Sequence, residues 1–308
     1  MTSKILLGAA AALAFAAQAS AADLGAKKAA PAPAPLPYFI FADTQVSYFF
    51  ETAAKEPAIT GPVQKHVVSI THFDVTKWGT NFVNIDFKKS NSGDPANGGK
   101  DGALEVYGLY RGTVSGNFLA GSKAFSFGPV KDISLAGGFD ANTKNTTFAP
   151  QKRLLVGGIK IDFDVPGVLG VAVLAGKEWN HCGLTVSPYA YCVGAGKTTD
   201  PEFDVNAHIE VNYMQPLAFT GLPLRFSGFT NVVTPKGKNG DASTTKTEIL
   251  SDNRLTLDVG KLAGYKANTI DTFVGYRYWL NKFGNASKDV KSGGTIENMV
   301  YVGAAFHM

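Results

Sequence analysis

A dozen stretches of this chain alternate apolar and polar residues with a period of two, and the connections joining them alternate between long and short. The cleanest stretch sets Phe203, Val205, Ala207, Ile209, Val211 and Tyr213 against Asp204, Asn206, His208, Glu210 and Asn212. Successive side chains of a β-strand point to opposite faces, so this pattern predicts strands with one apolar and one polar face. The stretch 65–91 reads as two such arms around a short turn, Val75 to Gly79. Its second arm sets Val83, Ile85 and Phe87 against Phe82, Asn84, Asp86 and Lys88. Charged residues thus stand in the middle of strands. A soluble sandwich would pair each apolar face with a second apolar layer. A barrel crossing a membrane would turn the apolar face to lipid and the charges to a wet lumen.

The connections favour the barrel. SNSGDPANGGKDG, DANTKNTTFAPQ, TPKGKNGDASTTK and KFGNASKDVKSGG are long and polar, whereas VTKWG, DVPG, PLAFTGL and KLAGYKAN are short. Long outer loops alternating with short periplasmic turns is the outer-membrane pattern. Thr113 to Pro129 departs from it. There the expectation is either a longer strand or a turn that folds back with Phe118, Phe125 and Phe127. Abundant Gly, Phe and Tyr (34, 21 and 11 residues) with little Leu-rich helical periodicity agree with an all-β chain. The predicted fold is a transmembrane antiparallel up-and-down β-barrel of about twelve strands over residues 41–308.

The N-terminus carries Lys4, an apolar run from Ile5 to Ala17 and the A-x-A site Ala19-Ser20-Ala21, which predicts a cleaved signal peptide over residues 1–21. The apolar run is too short to span a bilayer as a helix. Residues 22–40, with KKAAPAPAPLP, read as an Ala/Pro-rich extended periplasmic linker. The chain closes on MVYVGAAFHM, which puts Val300, Val302, Ala304, Phe306 and Met308 on one face. This resembles the C-terminal strand by which outer-membrane proteins are recognised by the barrel-assembly machinery, with Met308 where Phe is usual.

Composition excludes several classes. A net charge of +4 over 308 residues, with basic residues dispersed among acids, argues against nucleic-acid binding. Cys182 and Cys192 lie close together in an exported chain, which predicts a disulfide, and they lack the C-x-x-C spacing of a redox or metal site. The five histidines make no metal pair. His208 shares a face with Asp204 and Glu210 but has no nucleophile in register, so no enzyme and no cofactor are expected. The polar faces instead supply ten lumen candidates for solute contact: Phe82, Asp86, Lys88, Glu105, Tyr107, Arg111, Arg225, Phe229, Arg277 and Trp279. They read either as ion-pair filler stiffening the wall or as a narrow channel in which aromatic faces stack on a flat ring and charges bind its hydroxyls.

HFDVTKWGTNFVNIDFKKSN, EVYGLYRGTVS and FSFGPVKDISLAGG resemble the nucleoside-specific channel-forming (Tsx-like) outer-membrane proteins, chiefly through Trp78, Gly79, Asn81, Phe82 and Asp86. The resemblance implies a monomeric twelve-stranded barrel, with lipid and nucleosides as its partners. The outer loops, the linker and the missing terminal Phe depart from the family, and its substrate-contacting residues do not transfer one by one. A general small-solute or ion porin and a plugged barrel used through its outer loops remain the alternatives.

Overall fold

The computed structural model describes residues 39–187, 190–286 and 293–308. Twelve strands run in order: β1 Phe39–Ala54, β2 Val63–Thr76, β3 Thr80–Ser90, β4 Leu104–Ser115, β5 Val130–Lys144, β6 Arg153–Phe163, β7 Val168–Trp179, β8 Asn206–Pro216, β9 Leu224–Val233, β10 Glu248–Asp258, β11 Ile270–Leu280 and β12 Ile296–His307. Each strand pairs antiparallel with its sequence neighbours, and β1 pairs with β12 to close the barrel. In that seam Val46 faces Phe306 and Phe50 faces Val302, while Met308 N–H donates to the Thr44 carbonyl at 2.8 Å. The signal peptide and most of the linker fall outside the described residues. Phe39 and Ile40, assigned to the linker, open β1 instead.

The period-two reading holds strand by strand. Val46, Ile70, Leu135, Leu155, Val173, Val274 and Val302 stand exposed on the outer surface. Acidic and basic side chains such as Glu51, Lys65, Asp140, Asp252 and Glu297 are buried inside. The inner face is not uniformly polar. Two apolar clusters also face inward, one built from Phe49, Val63, Val67, Phe273, Met299 and Tyr301, the other from Leu154, Val156, Ala172 and Leu174. A barrel of about eight strands is just filled by its own side chains and one of about sixteen leaves an open channel; twelve strands lie between, with part of the interior packed.

Close packing explains some glycines. A Cβ on Gly275 of β11 would lie 2.0 Å from the Tyr301 ring, and one on Gly303 of β12 would lie 2.5 Å from Phe49 Cβ. Each gives a bulky inward residue of an adjacent strand room to lie against the sheet.

Connections on one rim are short, as at 77–79 and 164–167. The segment after β4 satisfies both expectations made for it. The strand reaches Ser115, and the rest folds back through a short helix, Gly116–Ala120. The Ser115 side chain accepts from Phe118 N–H, Gly121 ends the helix in the left-handed region, and Phe118 packs edge-on against Trp78. On the other rim, Cys182 and Cys192 are joined in the long 180–205 connection. The 55–62 connection is short because β1 runs to Ala54 and β2 starts at Val63. Its Ile59 packs on the first inward apolar cluster, so this loop turns into the mouth.

Candidate functional site: the lumen

All ten lumen candidates point inward, as the cross-strand partners require. Phe82 pairs with Arg111, Asp86 with Tyr107 and Lys88 with Glu105. Arg277 pairs with Asp252, and Phe229 with both Asp252 and Asn212. The structure does not join the aromatics into a track. Phe82 lies near the short-turn end of β3, while Trp279 lies near the loop end of β11, held by Nε1 donating to Glu248 at 2.7 Å. Phe229 keeps 37 % of its surface accessible inside the barrel and is the barest aromatic of the set in the lumen.

The charged candidates fall into four groups. At the loop-side mouth Glu56, from the 55–62 connection, sits among three lysines. Lys65 of β2 approaches Oε1 at 2.5 Å, Lys144 of β5 approaches Oε2 at 3.0 Å, and Lys282, just after β11, lies 3.8 Å away. Lys65 also reaches Glu105 at 3.3 Å, Lys144 reaches Asp94 at 2.6 Å, and Lys282 reaches Glu297 at 2.7 Å. Burial pushes the Glu56 carboxyl up, but Lys65, Lys282 and Lys144 together outweigh it and hold the group well below the usual carboxylate range. One loop carboxylate thus ties widely separated strands across the mouth.

Deeper in, Arg111 of β4 donates from Nε and Nη2 to Glu210 of β8, with Nη2 to Oε1 at 2.8 Å, and from Nη1 to Asp140 of β5 at 2.6 Å. Tyr107 completes this group by donating its hydroxyl to Asp140 at 2.9 Å. The Arg111–Glu210 pair passes over β5, β6 and β7. On the opposite wall Arg277 bonds Glu51 at 2.6 Å and Asp252 at 2.7 Å, and Tyr301 donates to Asp252. Towards the short-turn rim Arg225 pairs with Asp271, which also meets His307; His307 in turn meets Asp43 at 3.0 Å.

Sequence reasoning placed Phe273 on the inner face but missed Glu56, Lys144, Lys282 and the two rings packed with it, Phe49 and Tyr301. Parity would have placed Phe49 and Tyr301 inside. Glu56 lies in a connection, where parity does not apply. His208 faces inward and is buried, with Gly176 making room for its ring.

Apolar outside, charged inside and closed on itself, the twelve-stranded antiparallel barrel has the architecture that lets a sheet cross an outer membrane. No protein-family model matches the chain, and no curated protein matches it, so the Tsx-like resemblance gains no support from those searches. Among solved structures, the translocator domain of the autotransporter NalP from Neisseria meningitidis aligns at 13 % identity over 86 % of this chain and 88 % of that one, with a TM-score of 0.36. Pseudomonas aeruginosa OpdL aligns at 8 % identity over 87 % and 98 %, with a TM-score of 0.36. A BenF-like porin from Pseudomonas fluorescens Pf-5 aligns at 8 % identity over 87 % and 98 %, with a TM-score of 0.31. Likenesses at this level carry no conclusion about what the present barrel does.

Proposed function

We propose that the protein is a monomeric outer-membrane channel for passive diffusion of small polar solutes, with nucleosides as its substrates. The observation that carries the reading is the inner face of a closed barrel lined by charged side chains of both signs beneath an apolar outer surface. Such a lining costs little only where water or polar solutes share the space. The nucleoside part rests on the Tsx-like resemblance, supported by Phe229 standing bare in the lumen among hydrogen-bonding side chains. Lipid contacts the outer face, and β12 would be the strand read by the assembly machinery. No catalysis belongs to this reading.

A second reading is favoured by one observation. The Glu56 clasp and the Arg111–Glu210 strut both cross the lumen, which suits a closed barrel used through its outer loops.

Single-channel recording of the refolded mature protein in a planar bilayer separates the readings. Small conductance steps blocked saturably by adenosine or thymidine are the expected result. Steps indifferent to nucleosides would leave a general porin, and no steps from a correctly folded barrel would leave the closed one. Phe82→Ala and Trp279→Ala should each weaken nucleoside block separately, since they stand at opposite ends of the barrel.

A further inference from the structure

Carboxylates and cations do not stay matched along the lumen. At the mouth and in the middle, the groups described above set glutamates and aspartates against lysines and arginines at salt-bridge distance. At the short-turn end the inner face carries Asp43 of β1, Asp132 of β5, Asp162 of β6, Asp258 of β10 and Asp271 of β11. Among the described residues its cations are Lys160, 2.8 Å from Asp162, Arg225 on Asp271, and the His307 ring between Asp43 and Asp271. Carboxylates outnumber cations there even with His307 charged. The other donors holding these aspartates are neutral. Asp132 accepts from Asn117 N–H at 3.1 Å and from the Ser134 hydroxyl at 3.3 Å, and Asp258 accepts from the N–H groups of Lys261 and Asn268 at 2.8 and 2.7 Å. Such bonds fix a carboxylate without cancelling its charge. Two of the pairings are also like on like: Asp132 stands directly opposite Asp162, and Asp258 opposite Asp271. Directly opposed like charges weaken a sheet, so stability alone does not account for the arrangement.

We propose that these aspartates form a ring that makes the channel cation-selective at its short-turn end, passing small cations and cationic solutes ahead of anions. The inference rests on the channel reading above and adds to it the sign of the charge that passes. Rings of acidic side chains select cations in this way in other pores. Selection needs a potential in the lumen rather than a contact, and charges between low-dielectric walls focus their field into the opening. The ring is spread over both sides of the barrel, on β1, β5, β6, β10 and β11. Asp43 and Asp162 keep 27 % and 25 % of their side-chain surface accessible, so passing ions meet them directly. The sign is opposite to that of the chain as a whole, which carries +4. Lys77, Lys123, Lys131, Lys261 and Lys266 of the same rim are exposed in or beside the turns, where dissolved ions screen them. A neutral solute such as a nucleoside is not discriminated by the ring.

The test is the zero-current potential of the refolded mature protein in a planar bilayer under a roughly tenfold KCl gradient. The expected sign is that of potassium crossing ahead of chloride, with a permeability ratio of at least about three. The ratio should fall towards one as salt rises, because the Debye length shrinks from about 10 Å at 0.1 M to about 3 Å at 1 M. Asp132→Asn keeps an acceptor for Asn117 and relieves one opposed pair, so it should fold, and it should lower the ratio by about a third or more. Asp132→Lys should lower it further. Asp200→Asn, exposed in the 180–205 connection, should leave it unchanged. A ratio at or below one would overturn the inference and leave the channel reading standing. A ratio above one that neither Asp132 variant moves would overturn the assignment to this ring. Folded barrels that never conduct would overturn the channel reading and this inference with it.

Discussion

Strands β10–β12 and β1 line their side of the lumen with Phe49, Phe273, Met299, Tyr301 and the guanidinium groups of Arg254 and Arg277, whereas β5–β7 present Ala136, Gly138, Gly158, Gly170 and Ala172 beside a smaller aliphatic cluster of Leu154, Val156 and Leu174. The thick wall is filled by packing. The thinner wall is packed with small and aliphatic residues, and Arg111 lies across part of it. An ideal Cβ on Gly138 would lie 2.9 Å from Arg111 Cδ, so the arginine lies flat along the wall on its way to Glu210. The difference teaches that the free cross-section of such a barrel is set by residue size on one arc, and that what occupies the remainder can be a single ion pair.

The largest effect should come from the clasp that spans both arcs. Glu56→Gln leaves three buried lysines without their shared carboxylate. Removing one partner of a buried pair costs about 3–5 kcal/mol, to be read as a lower urea midpoint of the folded barrel. Acid should act in the same direction, but late. Because the Glu56 carboxyl is held well below the ordinary value of 4.5, its stabilisation is complete above that pH and is lost only as pH falls through the depressed value. Unfolding midpoints measured from pH 7 down to pH 3 check this, and a loss beginning near pH 6 would contradict it.

Arg111→Ala should come next, lowering stability by about 3 kcal/mol because Glu210 loses its partner and Asp140 is left with Lys152 and Tyr107, and raising conductance on the thin side. Tyr301→Phe on the thick wall should cost about 1–2 kcal/mol for its bonds to Arg254 and Asp252 and leave conductance unchanged. If Tyr301→Phe altered conductance and Arg111→Ala did not, the contrast between the walls would fail.

Of similar size, Gly303→Ala should cost about 1–3 kcal/mol, because its Cβ would fall 2.5 Å from Phe49 and 2.6 Å from the Phe273 ring. The outward Gly157 has nothing within 4 Å of the same added atom, and Gly157→Ala should stay within about 0.5 kcal/mol. Thermal melts of the two variants sharpen the comparison between filled interior and free exterior.

Strand existence, parity and the inside–outside assignment of all ten candidates were legible because a period of two is a local property. The register of Asp86 with Tyr107 needs only neighbouring strands. What crosses the barrel was not legible. Nothing local to Glu56 announces Lys65 of β2, Lys144 of β5 and Lys282 just after β11, which meet only when the sheet closes. Arg111 was legible as a lumen residue but not as the partner of Glu210, four strands away. The inward apolar clusters were hidden for a related reason. Alternation says which face Val63 and Val67 occupy, but not that Phe49, Met299 and Tyr301 will be packed against them.

The pairing of β1 with β12 fixes when the molecule can become itself. Residues near position 50 pair on one edge with β2 but find their partners on the other edge only beyond position 300, so no portion of the chain shorter than nearly the whole can shut the ring. Until then both terminal strands offer unpaired backbone edges, the kind of surface that recruits other chains. Contacts of such sequence separation form slowly. A truncation that removed only β12 would therefore leave not a slightly smaller barrel but an open curl of sheet with two adhesive margins, and its fate would be decided by how quickly those margins met a stranger.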